Sequence, residues 1–501
     1  MNARVLLILY VLLGVGALRA QDSTFVFPGG TINRLRSCGA ITGGGNPPQV
    51  LGWYVTWMQP DERTATVLVD TLLRPIWPAP LVSEPGQSVA AVVSNGHDHV
   101  VVFADGQDRI RVVVDELGRE RARSEGNGTG LDRSTIVSRD MYALRKAAGT
   151  VLPDGHHGYL ALERPGTEGR RMELVALDST LQPRWSHELR VGITSIAQLQ
   201  VLEVTTTTVL CLEVEVRDGA YQGFEPSPPR HGPFKVVSST LVWLDAATGT
   251  EQRRRKLAKE EDHYWPIAAW PRADGTGYRL VGSVFSKVHG PVAAFHMMLD
   301  SAGTPVFTEE LPVCDARIDR ALPDGRELSD LFMPLLVSAV RRADGSVVQA
   351  GEWYTITVNT TASDVMELIG IFTNQPNAGA PAVVHEYAQG LVVVEWAPTG
   401  TLATARTVHR PLTSGQHDRL DGTVQFWGLF PGKEDEVLLL YGDPEKRRVL
   451  MVRYGADVPT PLLGVPDNMQ WVALPPVHRG LPILHGPPGG APMYLRLVPL
   501  P

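Results

Sequence analysis

The 501-residue chain is 43% hydrophobic and 20% charged, with 49 Gly, 39 Pro and 7% aromatic residues. That composition supports a large apolar core and excludes disorder for most of the length. Lys and Arg number 46 against 54 Asp and Glu, a net charge of −8 that becomes two units more negative if Arg4 and Arg19 are removed, which excludes broad nucleic-acid binding because that needs cationic surface to displace counterions.

Asn2 to Arg4 form a short positive segment, Val5 to Leu18 an apolar run, and Ala17 to Ala20 a patch of small residues before Gln21. This order predicts a secretory signal peptide over residues 1–20, followed by a single exported domain over 21–501 that is secreted or periplasmic. The run is too short for a comfortable membrane span, and no other stretch approaches the ~20 apolar residues of a spanning helix. Cys38, Cys211 and Cys314 are too few and scattered for a disulfide framework, although an oxidising compartment permits one bridge. Cys211, within Val209-Leu210-Cys211-Leu212, reads as a buried small hydrophobe.

Along the chain a β-rich segment ending in Asp recurs at Asp70, Asp115, Asp178, Asp245 and Asp300, with weaker copies ending at Trp396 and Tyr454. An Asp at that place accepts hydrogen bonds from backbone N–H groups a few residues on and closes a turn. Trp77, Trp185 and Phe307 each follow their Asp by seven residues. Upstream of many copies lies a second hairpin with a Gly turn, at Asn95-Gly96, Asp154-Gly155, Asp274-Gly275 and Asp344-Gly345, with Pro431-Gly432 a looser counterpart. Each unit therefore reads as a four-stranded antiparallel meander, and the markers stand 45 to 96 residues apart. A sheet of that size cannot bury both faces alone, so the copies must stack, and radial stacking leaves only short protected edges. The predicted fold is an all-β propeller of eight blades, with seven the near alternative. The last blade takes strands from 470–501 and a fourth from Thr24 to Phe27, so that the two chain ends close the ring. One short helix is expected around Leu328 to Leu336.

The copy Val242-Trp243-Leu244-Asp245-Ala246-Ala247-Thr248-Gly249, echoed by Thr399-Gly400, resembles the repeat of the quinoprotein-like (PQQ-type) propellers. The resemblance is one of architecture. It implies that Trp77, Trp185 and Phe307 wedge between neighbouring blades. It implies no cofactor, because the chain has no vicinal Cys pair and no spacing that marks a metal beside a quinone.

In a meander the Gly and Asp turns share one face, and the loops joining second to third strands lie on the other. Those loops are cationic: Arg164 to Arg171 carries Arg170 and Arg171, Phe285 to Pro291 carries Lys287 and His289, and Gly442 to Arg448 carries Lys446, Arg447 and Arg448. Two are long. Glu213 to Val236 holds Tyr221, Phe224, Arg230 and His231, and Tyr354 to His385 holds little charge. Aromatics beside Arg and His suit stacking and hydrogen bonding to an anionic or sugar-like ligand, so Arg170, Arg171, Tyr221, Phe224, Arg230, His231, Lys287 and His289 are the candidate ligand-binding residues. A Pro-rich flap that only covers a blade is the plainer alternative.

His97 with His99, and Asp154 with His156 and His157, have spacings compatible with metal binding but sit at turns, where solvent exposure is the simpler expectation. Glu260, Glu261 and Asp262 with Lys256 and Lys259 read as a solvated loop. Asn127 and Asn359 head glycosylation sequons, of use only in a host that modifies its exports. No His-Glu-x-x-His, Gly-x-Ser-x-Gly, phosphate-cradling or calcium-loop pattern appears. The expected function is an exported, non-catalytic binding or scaffold module for a protein partner or an anionic or glycan ligand. The alternatives are a glycan-active hydrolase or lyase with carboxylates gathered at the central channel, and a purely structural surface protein.

Overall fold

The computed structural model describes residues 24–27, 30–44, 49–127 (less 86, 106 and 107), 151–218 (less 166–169 and 194), 234–312 (less 273 and 287–289), 336–359 (less 337), 383–409, 425–453 (less 432–435 and 444–447), 460–487 (less 465–469 and 474–479) and 492–498.

Two turn chemistries reverse the chain. In the first, a Gly takes a positive φ, as at Gly96 (+93°), Gly155 (+77°), Gly275 (+68°) and Gly345 (+86°), a region closed to most side chains. In the second, one carboxylate oxygen gathers backbone donors. Asp70 accepts from the N–H groups of Leu72 and Arg74 at 2.8 and 2.9 Å, Asp115 from Leu117 and Arg119 at 2.9 and 3.0 Å, and Asp178 from Thr180 and Gln182 at 2.8 and 2.9 Å. The recurrent Asp is thus a turn residue. At Asp115 the N–H and guanidinium of Arg119 hold the carboxyl down at about 2.

Between the turns, strands rich in Val, Leu and aromatics form eight four-stranded antiparallel blades, the first seven running from an inner to an outer strand in chain order. Blade 1 comprises Leu35–Thr42, Val50–Met58, Thr64–Asp70 and Leu81–Ser83; blade 2 comprises Ser88–Ser94, His99–Asp105, Asp108–Val114 and Glu120–Asn127. Blade 3 is Val151–Pro153, Tyr159–Glu163, Arg171–Leu177 and Pro183–Arg190, and blade 4 is Ile196–Val204, Thr208–Asp218, Phe234–Asp245 and Glu251–Lys256. Blade 5, Asp262–Pro271, Gly277–Ser286, Gly290–Asp300 and Pro305–Pro312, gains a fifth short strand, Ala258–Lys259, beside its inner one. Blade 6 is Ser338–Arg341, Val347–Asn359, Val383–Trp396 and Leu402–His409, and blade 7 is Gln425–Pro431, Val437–Asp443, Arg448–Arg453 and Thr460–Gly464. Blade 8 takes Gln470–Ala473, Leu481–Gly486 and Met493–Val498 from the C-terminal part, and its outer strand is Thr24–Phe27, which pairs Thr24 with Arg496 and Phe27 with Met493.

Apolar layers fill the spaces between successive blades from blade 8 round to blade 6. Phe27, Leu484 and Leu495 of blade 8 pack with Trp53, Val55 and Val67 of blade 1. Ile41, Tyr54 and Trp77 of blade 1 pack with Val89, Val101 and Val112 of blade 2. Equivalent layers join blades 2 and 3, 3 and 4, 4 and 5, and 5 and 6. The Leu429 N–H donates to Ser338 Oγ at 3.0 Å between blades 6 and 7. Burial declines toward the rim: the second strand of blade 5 is buried almost throughout, whereas five of the six residues of Glu251–Lys256 are exposed. The inner strands of blades 1 and 2 also pair directly and in parallel, Ile41 with Val92 and Thr42 with Val93, the relative direction that radial stacking imposes on inner strands.

A repeated contact locks the turn after the third strand to the preceding blade at four places in the described residues, three of them Asp turns. Trp185 of blade 3 reaches the turn of blade 4, where its indole Nε1 donates to the Ala246 carbonyl at 3.1 Å and its ring lies against Gly249. Trp77 packs on Gly118 in the same way. Between blades 4 and 5 Trp243 takes this role against Gly303, and between blades 5 and 6 His296 takes it against Gly400. Here the structure departs from the expected wedge: Phe307 is half-buried with its ring centroid 6.2 Å from His296, on an outer strand where it lies beside the docking residue. Of the expected helix around Leu328 to Leu336, residues 328–335 lie outside the described residues, and Leu336 is buried beside blade 5, its N–H donating to Ser283 Oγ at 3.3 Å.

Candidate functional site

The strand order puts the Gly and Asp turns on one face of the ring. The second-to-third connections share the opposite face with the connections between blades. Arg170 immediately precedes the third strand of blade 3, and Arg171 opens that strand. Arg171 donates from Nε and Nη2 to the two carboxylate oxygens of Glu188 at 3.0 and 2.7 Å, and Glu188 also pairs with Arg190. Its guanidinium is therefore engaged across the blade. Tyr221, Phe224, Arg230, His231, Lys287 and His289 lie outside the described residues, as do Lys446 and Arg447.

The candidate metal groups are built into turns. His97 is exposed with its ring centroid 4.8 Å from that of His157, while His99 is half-buried with its ring 5.9 Å from Trp77, and burial lowers its pKa. Asp154 is buried, accepts from the N–H groups of His156 and Gly158 at 2.7 and 2.8 Å, and pairs with Arg184. Among the described residues, no group of three or more His, Cys, Asp or Glu is arranged to hold a metal ion.

Carboxylates gathered along the channel would favour glycan hydrolysis. The inner strands of blades 1 and 2 read Leu-Arg-Ser-Cys-Gly-Ala-Ile-Thr and Ser-Val-Ala-Ala-Val-Val-Ser, without an acid. Among all the described inner strands the only acids are Glu203, near the end of its strand, and Asp262, which opens its strand.

A cleft of about 290 Å³ lies between blades 4 and 5, lined by Arg255 and Lys256 of the blade 4 outer strand, Leu257 to Lys259 of the connection, and Tyr264, Thr308 and Glu310 of blade 5. Its geometry follows from strand alternation. Arg253, two residues before Arg255, covers the Trp243 ring at 5.3 Å and donates from Nη1 to the Ser301 carbonyl of blade 5 at 2.5 Å. Arg255 projects from the same face. Arg254 turns the other way, to Glu213 of its own blade at 2.5 Å and to Glu251 at 2.7 Å. Glu213 also contacts His187 Nε2 of blade 3 at 2.7 Å. Burial opposes ionisation of Glu213, but the bonds from His187 and Arg254 outweigh it and hold its pKa below the ordinary value.

On the opposite wall, Glu310 accepts from the Tyr264 hydroxyl at 2.6 Å and from Lys259 Nζ at 3.3 Å. Burial, and then the bond to Glu310, raise the Tyr264 pKa, so the phenol stays protonated at neutral pH. Lys259 is fixed by its pairing with Asp262 in the two-residue strand that precedes blade 5, so the segment expected as a wet loop is an ordered hairpin. Arg255 and Lys256 have no ion-pair partner among the described residues; Arg255 is directed into the cleft, Lys256 borders it from the alternate face of the strand, and Lys259 faces Glu310. Burial, and then the nearby Glu310 and Glu260 carboxylates, raise the Asp262 pKa. The visible sequence signal was the run Arg253-Arg254-Arg255-Lys256. Its convergence with Tyr264 and Glu310 depends on the packing of one blade on the next.

No family model matches the chain, and no curated protein matches it at a significant level. Solved structures with a similar course include the Dos1 propeller, 8% identical over 96% of this chain and 95% of that one with a TM-score of 0.42. The β-propeller domain of the trilobed protease from Pyrococcus furiosus is 10% identical over 86% and 95% of the two chains, with a TM-score of 0.37. Prolyl oligopeptidase B from Galerina marginata is 9% identical with a TM-score of 0.39; it aligns with 91% of this chain, which spans only 56% of that enzyme's length. These neighbours are similar to the chain as β-propeller proteins.

Proposed function

We propose that this protein is an exported binding module that holds an anionic ligand in the cleft between blades 4 and 5. The observation that carries this reading is the cation left without an ion-pair partner in the cleft: Arg255 lines about 290 Å³, with Lys256 at its border, while the one carboxylate of the lining, Glu310, is already engaged by Lys259 and the Tyr264 hydroxyl. In a chain of net charge −8, an exposed Arg without a carboxylate partner among the described residues is a local attractor for anions. The apolar layers between blades give the cleft fixed walls, which lowers the ordering cost of binding. The absence of acids from the middles of the described inner strands favours binding over glycan hydrolysis. The PQQ-type resemblance enters as turn architecture, the Asp245 to Gly249 turn docked by Trp185, and no quinone is part of the proposal. Export rests on the basic and apolar order of residues 2–20.

The test is calorimetric titration with inorganic phosphate, sulfate, a sulfated oligosaccharide and a carboxylate-rich peptide, on the wild type and on Arg255→Ala and Lys259→Ala. Binding of at least one anion, weakened in both variants, is the expected result. A wild type that binds none of them, or variants that bind as the wild type does, overturns the cleft as a site.

A further inference from the structure

The outer strand Glu251–Lys256 has an edge with no strand paired to it among the described residues, and its backbone polarity can be read from the register. It pairs antiparallel with the third strand of blade 4, Leu241 opposite Arg255, Val242 opposite Arg254 and Trp243 opposite Arg253. One residue beyond, the Leu257 N–H donates to the Ser239 carbonyl at 2.8 Å. In an antiparallel ladder only alternate residues point their N–H and C=O toward the neighbour. With Leu257 bonded inward, Arg255 and Arg253 bond inward too, and the N–H and C=O groups of Arg254 and Lys256 face outward from the last strand of the sheet. Between these outward groups stands the Arg255 side chain, directed to the cleft.

Four other outer strands are guarded. Those of blades 3, 5 and 7 carry Pro183, Pro305 with Pro312, and Pro461, each lacking a donor, and that of blade 1 has three residues. Those of blades 2 and 6, Glu120–Asn127 and Leu402–His409, are eight residues long and lack Pro as Glu251–Lys256 does, but neither has its run of cations. Glu251–Lys256 has six residues, no Pro, and four consecutive cations.

We infer that this edge accepts an extended, carboxylate-rich peptide segment of a partner protein, which adds a fifth strand beside Arg254 to Lys256 and places an acidic side chain in the cleft against Arg255 and Lys259. The inference rests on the anion reading of the cleft and names its ligand class. A free anion or a sulfated glycan meets the cations but leaves the outward carbonyls of Arg254 and Lys256 unmatched. A peptide supplies N–H donors at strand spacing together with the negative charge, and the surplus of cations on the strand selects an acidic sequence.

The experiment measures binding of the full chain to a ten-residue peptide rich in Asp and Glu, to the same peptide N-methylated at alternate residues, and to its neutral Asn/Gln counterpart, with inorganic phosphate titrated in parallel. The acidic peptide is expected to bind, the N-methylated and neutral forms to bind roughly tenfold or more weakly. Lys256→Pro, which removes an outward N–H, is expected to weaken the peptide beyond the effect of Lys256→Ala while leaving phosphate binding equal in the two variants. If the N-methylated peptide binds as well as its parent, or if phosphate binds and the acidic peptide does not, strand addition is overturned and the anion site stands. If neither phosphate nor any peptide binds, both fall.

Discussion

The indole of Trp185 donates to the Ala246 carbonyl at 3.1 Å while its ring covers Gly249, so one side chain of blade 3 satisfies and shields the turn that ends the third strand of blade 4. Gly249 sits at φ +70°, and a Cβ built there would come within 2.6 Å of Trp185 Cδ2. Gly249→Ala therefore combines backbone strain with a steric conflict between blades, and about 2 to 4 kcal/mol of lost stability is expected. Gly275 has nearly the same φ, +68°, with nothing within 4 Å of the position of a Cβ. Gly275→Ala should cost only the strain, about 1 kcal/mol. Denaturant unfolding of both variants checks the pair; equal losses would mean that the contact with Trp185 contributes nothing.

Arg279 is buried between blades 5 and 6, donating from Nε to His296 Nε2 at 3.1 Å, from Nη1 to the Gly345 carbonyl at 2.5 Å and from Nη2 to the Ala397 carbonyl at 3.3 Å. Burial, and then the nearby guanidinium, push the His296 pKa from 6.5 down to about 3. The unfolded chain takes up this proton near pH 6.5 and the folded chain only near pH 3. The stability contributed by neutral His296 is complete above pH 6.5 and is lost as pH falls from 6.5 toward 3, by roughly 5 kcal/mol in total. Unfolding free energy measured across that range should fall in the wild type, with a shallower slope in His296→Gln. Parallel profiles would remove His296 as the cause.

Arg111 of blade 2, 1% exposed, pairs with Glu163 of blade 3 at 2.7 Å. Removing one partner strands a buried charge, so Glu163→Ala is expected to cost about 3 to 5 kcal/mol. The double change Arg111→Met with Glu163→Leu should recover most of that loss, because a packed apolar pair carries no desolvation penalty. Thermal unfolding of the single and double variants is the measurement, and a double variant no more stable than the single one would contradict it.

Anion binding in the cleft should weaken with ionic strength, because Arg255, Lys256 and Lys259 act at an open rim where salt screens them. Phosphate titrations at low and moderate NaCl should differ several-fold in affinity. Salt-independent affinity would point to a dry pocket elsewhere.

The blades were legible because the residues that make them are local. An Asp whose own oxygen collects the N–H groups two and four residues on, or a Gly that supplies a positive φ, announces a turn within a five-residue window, and Asp70, Asp115, Asp178, Gly96 and Gly345 all do so. The docking residues were only partly legible. Trp77 and Trp185 follow the seven-residue spacing, but blades 4 and 5 use Trp243 and His296 from their third strands. Which side chain reaches the next turn depends on how far each blade rotates on its neighbour, and no spacing records that. The cleft was hidden for the same reason: Arg255 and Glu310 stand on successive blades, and the intervening Glu260 to Asp262 looks from its charges alone like an unstructured connection. Arg171, by contrast, was legible as a cation but not as one already engaged, since Glu188, which lies opposite Glu173 and diagonal to Arg171, comes within reach only through the pairing of two strands.

The pairing of Thr24 with Arg496 has a consequence for biosynthesis. Thr24–Phe27 precedes blade 1 in the chain yet pairs with a strand about 470 residues later, so blade 8 stays unfinished while the strands of blade 1 can already pair. Until Met493–Val498 emerges, the hydrophobic flank formed by Trp53, Val55 and Val67 of blade 1 stays uncovered. During synthesis, that flank is an apolar surface for a chaperone to cover.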